Sequence, residues 1–180
     1  MNWTTILPII LGSSLLSAIV TTILDRCLSA REKSKYNKFI ALTLAHDLES
    51  YSWQCADSLS NHELARDSQG HAGKLIASPP DSFVIPKENY RDFDIQILDR
   101  VFNFPLAIRS AKSQIQFWDD VTGQEDAFSA AFNETCKLGS DALNIANSIR
   151  DRYGLSKKTM AIGTTELQEI YKKHSSKIKQ

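Results

Sequence analysis

The hydrophobic and polar positions of this chain follow the repeat of α-helices over most of its length. The first apolar segment, Thr5–Leu24, has no charged residue in its twenty positions. At about 1.5 Å per residue, a helix of that length spans roughly 30 Å, which is the thickness of a bilayer hydrocarbon core. The pattern therefore predicts one N-terminal transmembrane helix, with Trp3 placed at the membrane interface before it.

The flanks of this segment predict its orientation. Positions 26–38 hold five basic residues and one acidic residue, a net charge of +4, whereas no basic residue precedes the segment. Because positive flanks remain on the cytoplasmic side, we expect a bacterial inner-membrane protein with its N-terminus outside and its C-terminal domain in the cytoplasm. The basic residues at this predicted boundary are Arg26, Arg31, Lys33, Lys35 and Lys38.

A cleaved signal peptide and a buried soluble helix are the alternatives for Thr5–Leu24. The signal peptide is disfavoured because no Lys or Arg precedes the stretch, which is also longer than a typical signal h-region. Six Ser and Thr residues make the segment only moderately apolar, so the buried helix stays open. Small side chains at Ser13, Ser17 and Thr21 form a row on which membrane helices can pack, although such residues are common in any membrane helix.

A second helix is predicted after the basic flank, from about Ser34 to Arg66. Apolar residues recur there at steps of three and four, which is the spacing of one face of an amphipathic helix. No Gly or Pro occurs between Gly12 and Gly70, so the sequence allows this helix to continue from the membrane span. The predicted inward face consists of Ala41, Leu44, Leu48, Tyr51, Cys55 and Leu59.

Residues 67–89 carry two Gly and three Pro residues and are predicted to form a long loop. Phe83, Val84 and Ile85 are expected to anchor this loop to the rest of the domain. Loops of this length are often functional, which makes it a candidate interaction surface.

Three further helices are predicted beyond the loop. One covers Tyr90–Phe102, and the next begins at Asn103 as its N-cap, because Pro105 breaks the helical hydrogen-bond ladder, and ends near Gly123. Another runs from about Phe128 to Tyr153, with Gly139 on its inward face, where it permits close approach of a neighbour.

The last of these helices is predicted to stop at Gly154, which has the sequence pattern of a left-handed cap. A final helix is expected to start at Thr164 or Thr165. We found no convincing strand pattern.

The fold class is therefore predicted to be all-α, with one transmembrane helix and a cytoplasmic bundle of four to five helices. The segments of this organisation are an anchor at 1–28, a long amphipathic helix at 29–66, a loop at 67–89, the rest of the bundle at 90–155, and a basic helix or tail at 156–180.

Charge and composition exclude some classes of function. The 21 basic residues balance the 21 acidic residues, so a general nucleic-acid binder is disfavoured. The charge is unevenly placed, with a net −5 over 81–134 (five basic, ten acidic) and a net +4 over 156–180 (six lysines, two glutamates). Three cysteines do not make a disulfide framework and fit a reducing compartment.

Motifs for catalysis, cofactors or metals are not found. The sequence has no phosphate-binding glycine loop, no nucleophile elbow, and no Cys/His spacing of a zinc site. His46-Asp47-Leu48-Glu49 is the fragment most similar to a metal-dependent hydrolase motif, but it is better explained as a hydrated helix face. Trp53 and Trp118 are expected in the core or at a domain interface. We therefore expect no enzyme, no cofactor and no metal site.

The order of the segments resembles an uncharacterised family of bacterial single-pass, membrane-anchored helical proteins. The resemblance rests on the helix around Leu42–Trp53, on Leu98-Asp99-Arg100, on Phe104-Pro105, and on the run Arg150–Leu155. It implies bacterial origin and architecture, and it brings no function and no catalytic residues.

We accordingly expect a protein whose cytoplasmic helical domain tethers or assembles partners at the membrane. Its partners would be the lipid bilayer and either another protein or further copies of itself. The alternative is an oligomerising membrane effector, for example in anti-phage defence, that is triggered through its cytoplasmic domain. A hydrolase built on His46 and Asp47 is the third and weakest hypothesis.

Overall fold

The computed structural model describes the backbone of residues 3–156, 169, 171 and 172, and the side chains of residues 20–156, 169, 171 and 172. Three long helices form most of the regular structure in this part of the chain, and it contains no strand, so the all-α prediction is confirmed. The helices are α1, Trp3–Asp67, α2, Ile95–Val121, and α3, Gln124–Tyr153. The predicted last helix falls mostly outside the described residues, among which Glu169, Tyr171 and Lys172 are helical.

The chain divides into two compact units, Met1–Phe39 and Ile40–Gln180. In the first unit the described side chains of Val20, Ile23, Leu24 and Leu28 are each more than half exposed. Among the residues whose side chains the structure describes, no helix has a stretch both long and apolar enough to cross a bilayer.

Several residues of the predicted anchor lie outside the described side chains. They are Trp3, Ser13 and Ser17, so the predictions made for them stay predictions. Thr21 is exposed on α1, as are the five basic residues of the predicted boundary, Arg26, Arg31, Lys33, Lys35 and Lys38.

The second unit is a helical domain built around the second half of α1. The predicted inward face of this helix is buried, from Ala41 to Leu59, against apolar residues of α2 and α3. Leu44, Leu48 and Cys55 are fully excluded from solvent. At roughly 25 cal/mol per Å² of apolar surface, burial of this face is the main force that holds α1 in the domain. The helix ends at Asp67, one residue beyond the predicted end.

α2 is one helix where the sequence predicted two. Pro105 lies inside it, so the prediction of a new helix with Asn103 as its N-cap is wrong. Proline cannot donate a backbone hydrogen bond and is costly within a helix. The helix nevertheless continues because Val101, Phe104 and Ile108, on both sides of the proline, are buried in the same core. Tertiary packing thus outweighs the local preference for a break.

The start of α2 is also later than predicted, since the helix begins at Ile95 rather than at Tyr90. Asp94 is the N-cap, and its Oδ1 accepts hydrogen bonds from the backbone N–H groups of Gln96 (3.0 Å) and Ile97 (3.3 Å). The hydroxyl of Tyr153 accepts a bond from the Asp94 N–H at 2.9 Å. The start of α2 is therefore tied to the end of α3.

α3 ends as its sequence predicts. Gly154 has a φ of 61°, in the left-handed region, and the Leu155 N–H bonds to the Arg150 carbonyl at 2.9 Å. This is the closing geometry in which glycine avoids the Cβ clash that other residues would meet.

A buried ion pair joins α1 to α3. The Arg150 guanidinium donates two hydrogen bonds to the Glu49 carboxylate, one from Nε to Oε1 and one from Nη2 to Oε2 at 2.7 Å. Glu49 is 1% exposed and Arg150 is 4% exposed. The hydrogen bonds to Glu49 raise the pKa of Arg150 above its usual value. Glu49 therefore belongs to the core, and the prediction of a hydrated helix face is wrong for this residue.

Gly139 lies where α1, α3 and Tyr171 meet, as its inward position predicts. A Cβ at this site would lie 2.6 Å from Cζ of Tyr171 and 2.8 Å from Cβ of Cys55, both closer than real Cβ contacts. The Ser52 hydroxyl donates to the Gly139 carbonyl at 2.8 Å, and the Tyr171 hydroxyl donates to the Ser52 carbonyl at 2.6 Å. Glycine thus makes room for a buried tyrosine.

Replacing Gly139 with Ala tests this packing. At an open helix position the change stabilises by up to about 1 kcal/mol, because alanine is the better helix former. Here we expect it to lower the free energy of unfolding by about 1–3 kcal/mol, since the site is already full. Urea unfolding of the chain purified in mild detergent measures the change.

The control is Ser140→Ala, at the next position of the same helix, where we expect a change within about 0.5 kcal/mol. In a Tyr171→Ala background, Gly139→Ala should lower the free energy of unfolding by less, because the side chain that fills the space is gone. An equal cost in both backgrounds would show that Tyr171 does not fill this space.

Candidate functional site

The predicted loop is an ordered segment that is clamped between α1 and α2. The Ser58 hydroxyl donates to the Ser78 carbonyl at 3.0 Å and accepts from the Ser78 N–H at 3.1 Å. The Tyr51 hydroxyl donates to the Pro80 carbonyl at 3.4 Å. On the other side, the Lys112 ammonium of α2 pairs with the Asp81 carboxylate. The segment 75–81 is therefore fixed from both sides.

Backbone contacts fix the beginning of the loop on the last turns of α1. The Lys74 N–H donates to the Asn61 carbonyl at 3.1 Å. Gly73 has a φ of 80°, and a Cβ there would lie 2.7 Å from the backbone nitrogen of Ala65, so only glycine allows this approach. The ring of His62, which rests against Phe132, has its Nδ1 2.6 Å from the Leu75 carbonyl oxygen.

Phe83 anchors the far end of the loop, as predicted. It is 8% exposed and makes edge-to-face contacts with the rings of Tyr51 and Phe104. Ile85 packs on the same core, whereas Val84 is 77% exposed, so the prediction that Val84 is an anchor is wrong. In an extended segment neighbouring side chains lie on opposite sides, so Phe83 and Ile85 face the core while Val84 faces solvent.

A groove of about 310 Å³ lies between this loop segment, the second half of α2 and the first turns of α3. Half of its ten lining residues are apolar, and two of these, Pro79 and Ala127, are buried and form its floor, whereas Asp81 and Asp119 are exposed at its edge. The apolar lining residues are Ile76, Pro79, Ile115, Ala127 and Phe128. The polar lining includes Asp81, Lys112, Gln116 and Asp119. We refer to this site as the groove.

The charged residues of the groove lining are Asp81, Asp119 and Lys112, which give a net charge of −1. Positions 113–136, which supply Asp119 and parts of the α2 and α3 walls, hold five acidic residues and no basic residue. Lys112 at the groove edge is engaged by Asp81, and this hydrogen bond and charge lower the pKa of the Asp81 carboxyl below its usual value. Asp119 is exposed on the α2 wall. The groove is therefore suited to a ligand that combines an apolar side chain with positive charge.

Aromatic residues that the sequence placed in the core are exposed near this region. Trp118, next to Asp119 on α2, is 42% exposed, and Phe117 is 57% exposed. Trp53, on α1, is 50% exposed and lines a second cleft of about 450 Å³ on the other side of the loop segment. Trp53 and Trp118 are thus not core residues, and their alternative placement at a domain interface stays a prediction. Exposed Trp and Phe side chains are typical of protein-binding surfaces.

Another open cleft, of about 730 Å³, lies between the start of α2 and the end of α3, at the opposite end of the domain. The Arg152 Nε lies 2.9 Å from Asp94 Oδ2, and the Arg100 Nη1 donates to the Ser148 hydroxyl at 3.0 Å. The groove is the stronger candidate because exposed aromatic side chains, Phe117 and Trp118, lie next to its lining residues Gln116 and Asp119.

The candidate hydrolase residues are not brought together into a site by the described structure. His46 is exposed, and Asp47, beside it on α1, is half-buried. The pKa of the Asp47 carboxyl is raised above its usual value, because the effect of burial is larger than the opposing effect of the neighbouring His46. Within the described ranges, no group of three or more His, Cys, Asp or Glu side chains is arranged to hold a metal ion.

Two of the three thiols are inaccessible. Cys55 and Cys136 are buried, whereas Cys27 is exposed. Burial raises the pKa of the Cys55 thiol, and the nearby Cys136 adds to this shift. Burial likewise raises the pKa of the Tyr171 hydroxyl. These groups are therefore held in their neutral forms, and they serve packing rather than nucleophilic chemistry.

Sequence reasoning pointed to the loop and to the acidic middle of the chain but missed the groove itself. Its walls come from three separate segments, and no local pattern indicates that they meet. The chain matches no protein-family model, no curated protein and no solved structure. The resemblance to a membrane-anchored bacterial family accordingly stays a prediction.

Proposed function

We propose that this chain is a single-pass inner-membrane protein whose helical domain holds a partner protein at the membrane through the groove. The observation that carries the interaction role is the groove itself, which has an apolar floor, an acidic edge and exposed aromatic residues nearby. Clefts of this size with apolar walls and a few placed charges are typical binding sites.

The membrane role rests on the sequence. Thr5–Leu24 has no charge, and the basic flank at 26–38 follows it after a single residue, Asp25. The exposed apolar side chains of Val20, Ile23, Leu24 and Leu28 on α1 support a segment that meets an apolar environment. This anchor would keep the helical domain in the cytoplasm, close to the inner surface of the bilayer.

Removal of residues 1–25 tests the anchor. We expect the full chain in the membrane pellet after cell lysis and ultracentrifugation, and the shortened chain in the supernatant. The reason is that only Thr5–Leu24 offers enough uncharged length to cross the hydrocarbon core. A shortened chain that stays in the pellet, and is not removed by high salt, would contradict the single-anchor proposal.

A pair of charge reversals tests the groove as a partner site. Asp119 and Asp120 are adjacent exposed acids on α2, but only Asp119 lines the groove. Either change to Arg alters the net charge by two units, so the second variant controls for the general effect of charge. The full chain and both variants are purified by affinity in mild detergent, and co-purified proteins are quantified by mass spectrometry.

We expect Asp119→Arg to reduce the bound partner about tenfold or more, since a rim charge in a binding site contributes on the order of 1–2 kcal/mol. Asp120→Arg should leave the partner in place. Equal effects of the two variants would exclude the groove as the contact site. A pure homo-oligomer without any other protein would favour the oligomerising effector instead.

A further inference from the structure

The charge pattern of this chain contains a segment that complements the groove. Positions 172–180 hold four lysines and no acidic residue, whereas positions 113–136 hold five acidic residues and no basic one. Opposite charges within about 10 Å attract appreciably at ordinary ionic strength, and beyond that distance salt screens them. The segment 172–180 therefore carries the charge opposite to that of the α2–α3 region, which supplies Asp119 and two walls of the groove.

The same segment has one apolar side chain after Lys172. This residue is Ile178, between Lys177 and Lys179. A β-branched aliphatic side chain flanked by two lysines matches an apolar floor with an acidic edge, because the lysine stems can lie along apolar surface while their ammonium groups reach the rim carboxylates. Of the two acidic side chains of the groove lining, Asp81 is already paired with Lys112, so Asp119 is the rim carboxylate that a lysine of the segment would meet.

The position of Tyr171 brings this segment within reach of the groove. Tyr171 is 4% exposed and is held against α1 and α3 by its hydrogen bonds to Ser52 and its contact with Gly139. Lys172, the next residue, is exposed. The chain thus leaves the buried tyrosine at the surface of the domain.

The distance along α3 is short. Phe128, in the groove wall, precedes Gly139 by eleven residues, which is about three helical turns, so both lie on one face of α3 and about 16 Å apart along its axis. Ile178 follows the helical residue Lys172 by six residues, and an extended segment of that length spans up to roughly 20 Å. This maximum span exceeds the separation along α3, so a chain held at the buried tyrosine has the length to reach the groove.

From these observations we infer that the lysine-rich segment 172–180 docks in the groove of its own chain, with Ile178 on the apolar floor and lysines at the acidic edge. The inference rests on the groove of the proposed function and adds a regulator to it. The tethered segment competes with the partner for the same site, so a partner must displace it in order to bind.

Site-specific crosslinking of the full chain in mild detergent tests this docking. Cys27 is changed to Ser, which leaves Cys55 and Cys136 as buried thiols, and Gln180→Cys is introduced beyond the proposed contact residues. A second cysteine replaces either Gln116, which lines the groove, or Gln114, which is exposed 200° away around α2. A short bismaleimide then joins cysteines that lie close together.

We expect the intramolecular product to form about tenfold faster with the cysteine at 116 than at 114, because docking raises the effective concentration of the segment at the groove. Higher salt, or Lys177→Glu with Lys179→Glu, should remove the difference. A chain with Gln180→Cys alone should give no intramolecular product, which checks that the buried thiols do not react.

Equal rates at the two positions would overturn the inference, and so would a difference that salt and the glutamate variants leave unchanged. Crosslinked dimers without the intramolecular product would show that the segment of a second copy occupies the groove, which also overturns docking within one chain. The readout requires neither a partner nor a bilayer, so its failure is distinguishable from failure of the proposed function.

Discussion

The contact between α1 and α3 is the constraint on which the rest of the helical domain depends. Its centre is the ion pair of Glu49 and Arg150, two residues that are 101 positions apart and almost completely buried. A buried charge without its partner costs about 3–5 kcal/mol, so the two helices tolerate only the register in which these side chains meet. The close approach of Cys55 to Gly139 and the hydrogen bond from Ser52 to the Gly139 carbonyl fit that same register.

This register explains how an interaction surface can arise in a chain without recognisable catalytic motifs. With α1 fixed on α3, Tyr51 and Ser58 face the loop and hold its segment 75–81. Lys112 holds the same segment from α2. The groove is the space that remains between three rigidly held elements, and it combines an apolar floor with acidic edges.

Local patterns predicted the helices well, because helical periodicity and end signals act over a few residues. The buried face of α1, the stop at Gly154 and the tight contact at Gly139 all follow from such patterns. Pro105 misled the prediction, since core packing of Phe104 and Ile108 outweighs its local cost. Glu49 could not be recognised as a core residue, because its burial depends on a guanidinium far away in sequence. The groove was equally invisible, since its walls come from distant segments.

The most direct test of this account is a double-mutant cycle on Glu49→Gln and Arg150→Met, measured by urea unfolding of the full chain in mild detergent. We predict that each single change lowers the free energy of unfolding by about 3 kcal/mol, and that the double variant loses little more than one single variant. The coupling energy should then be about 2 kcal/mol or more. Additive losses, or single changes that cost less than about 0.5 kcal/mol, would show that this ion pair does not set the register of the domain.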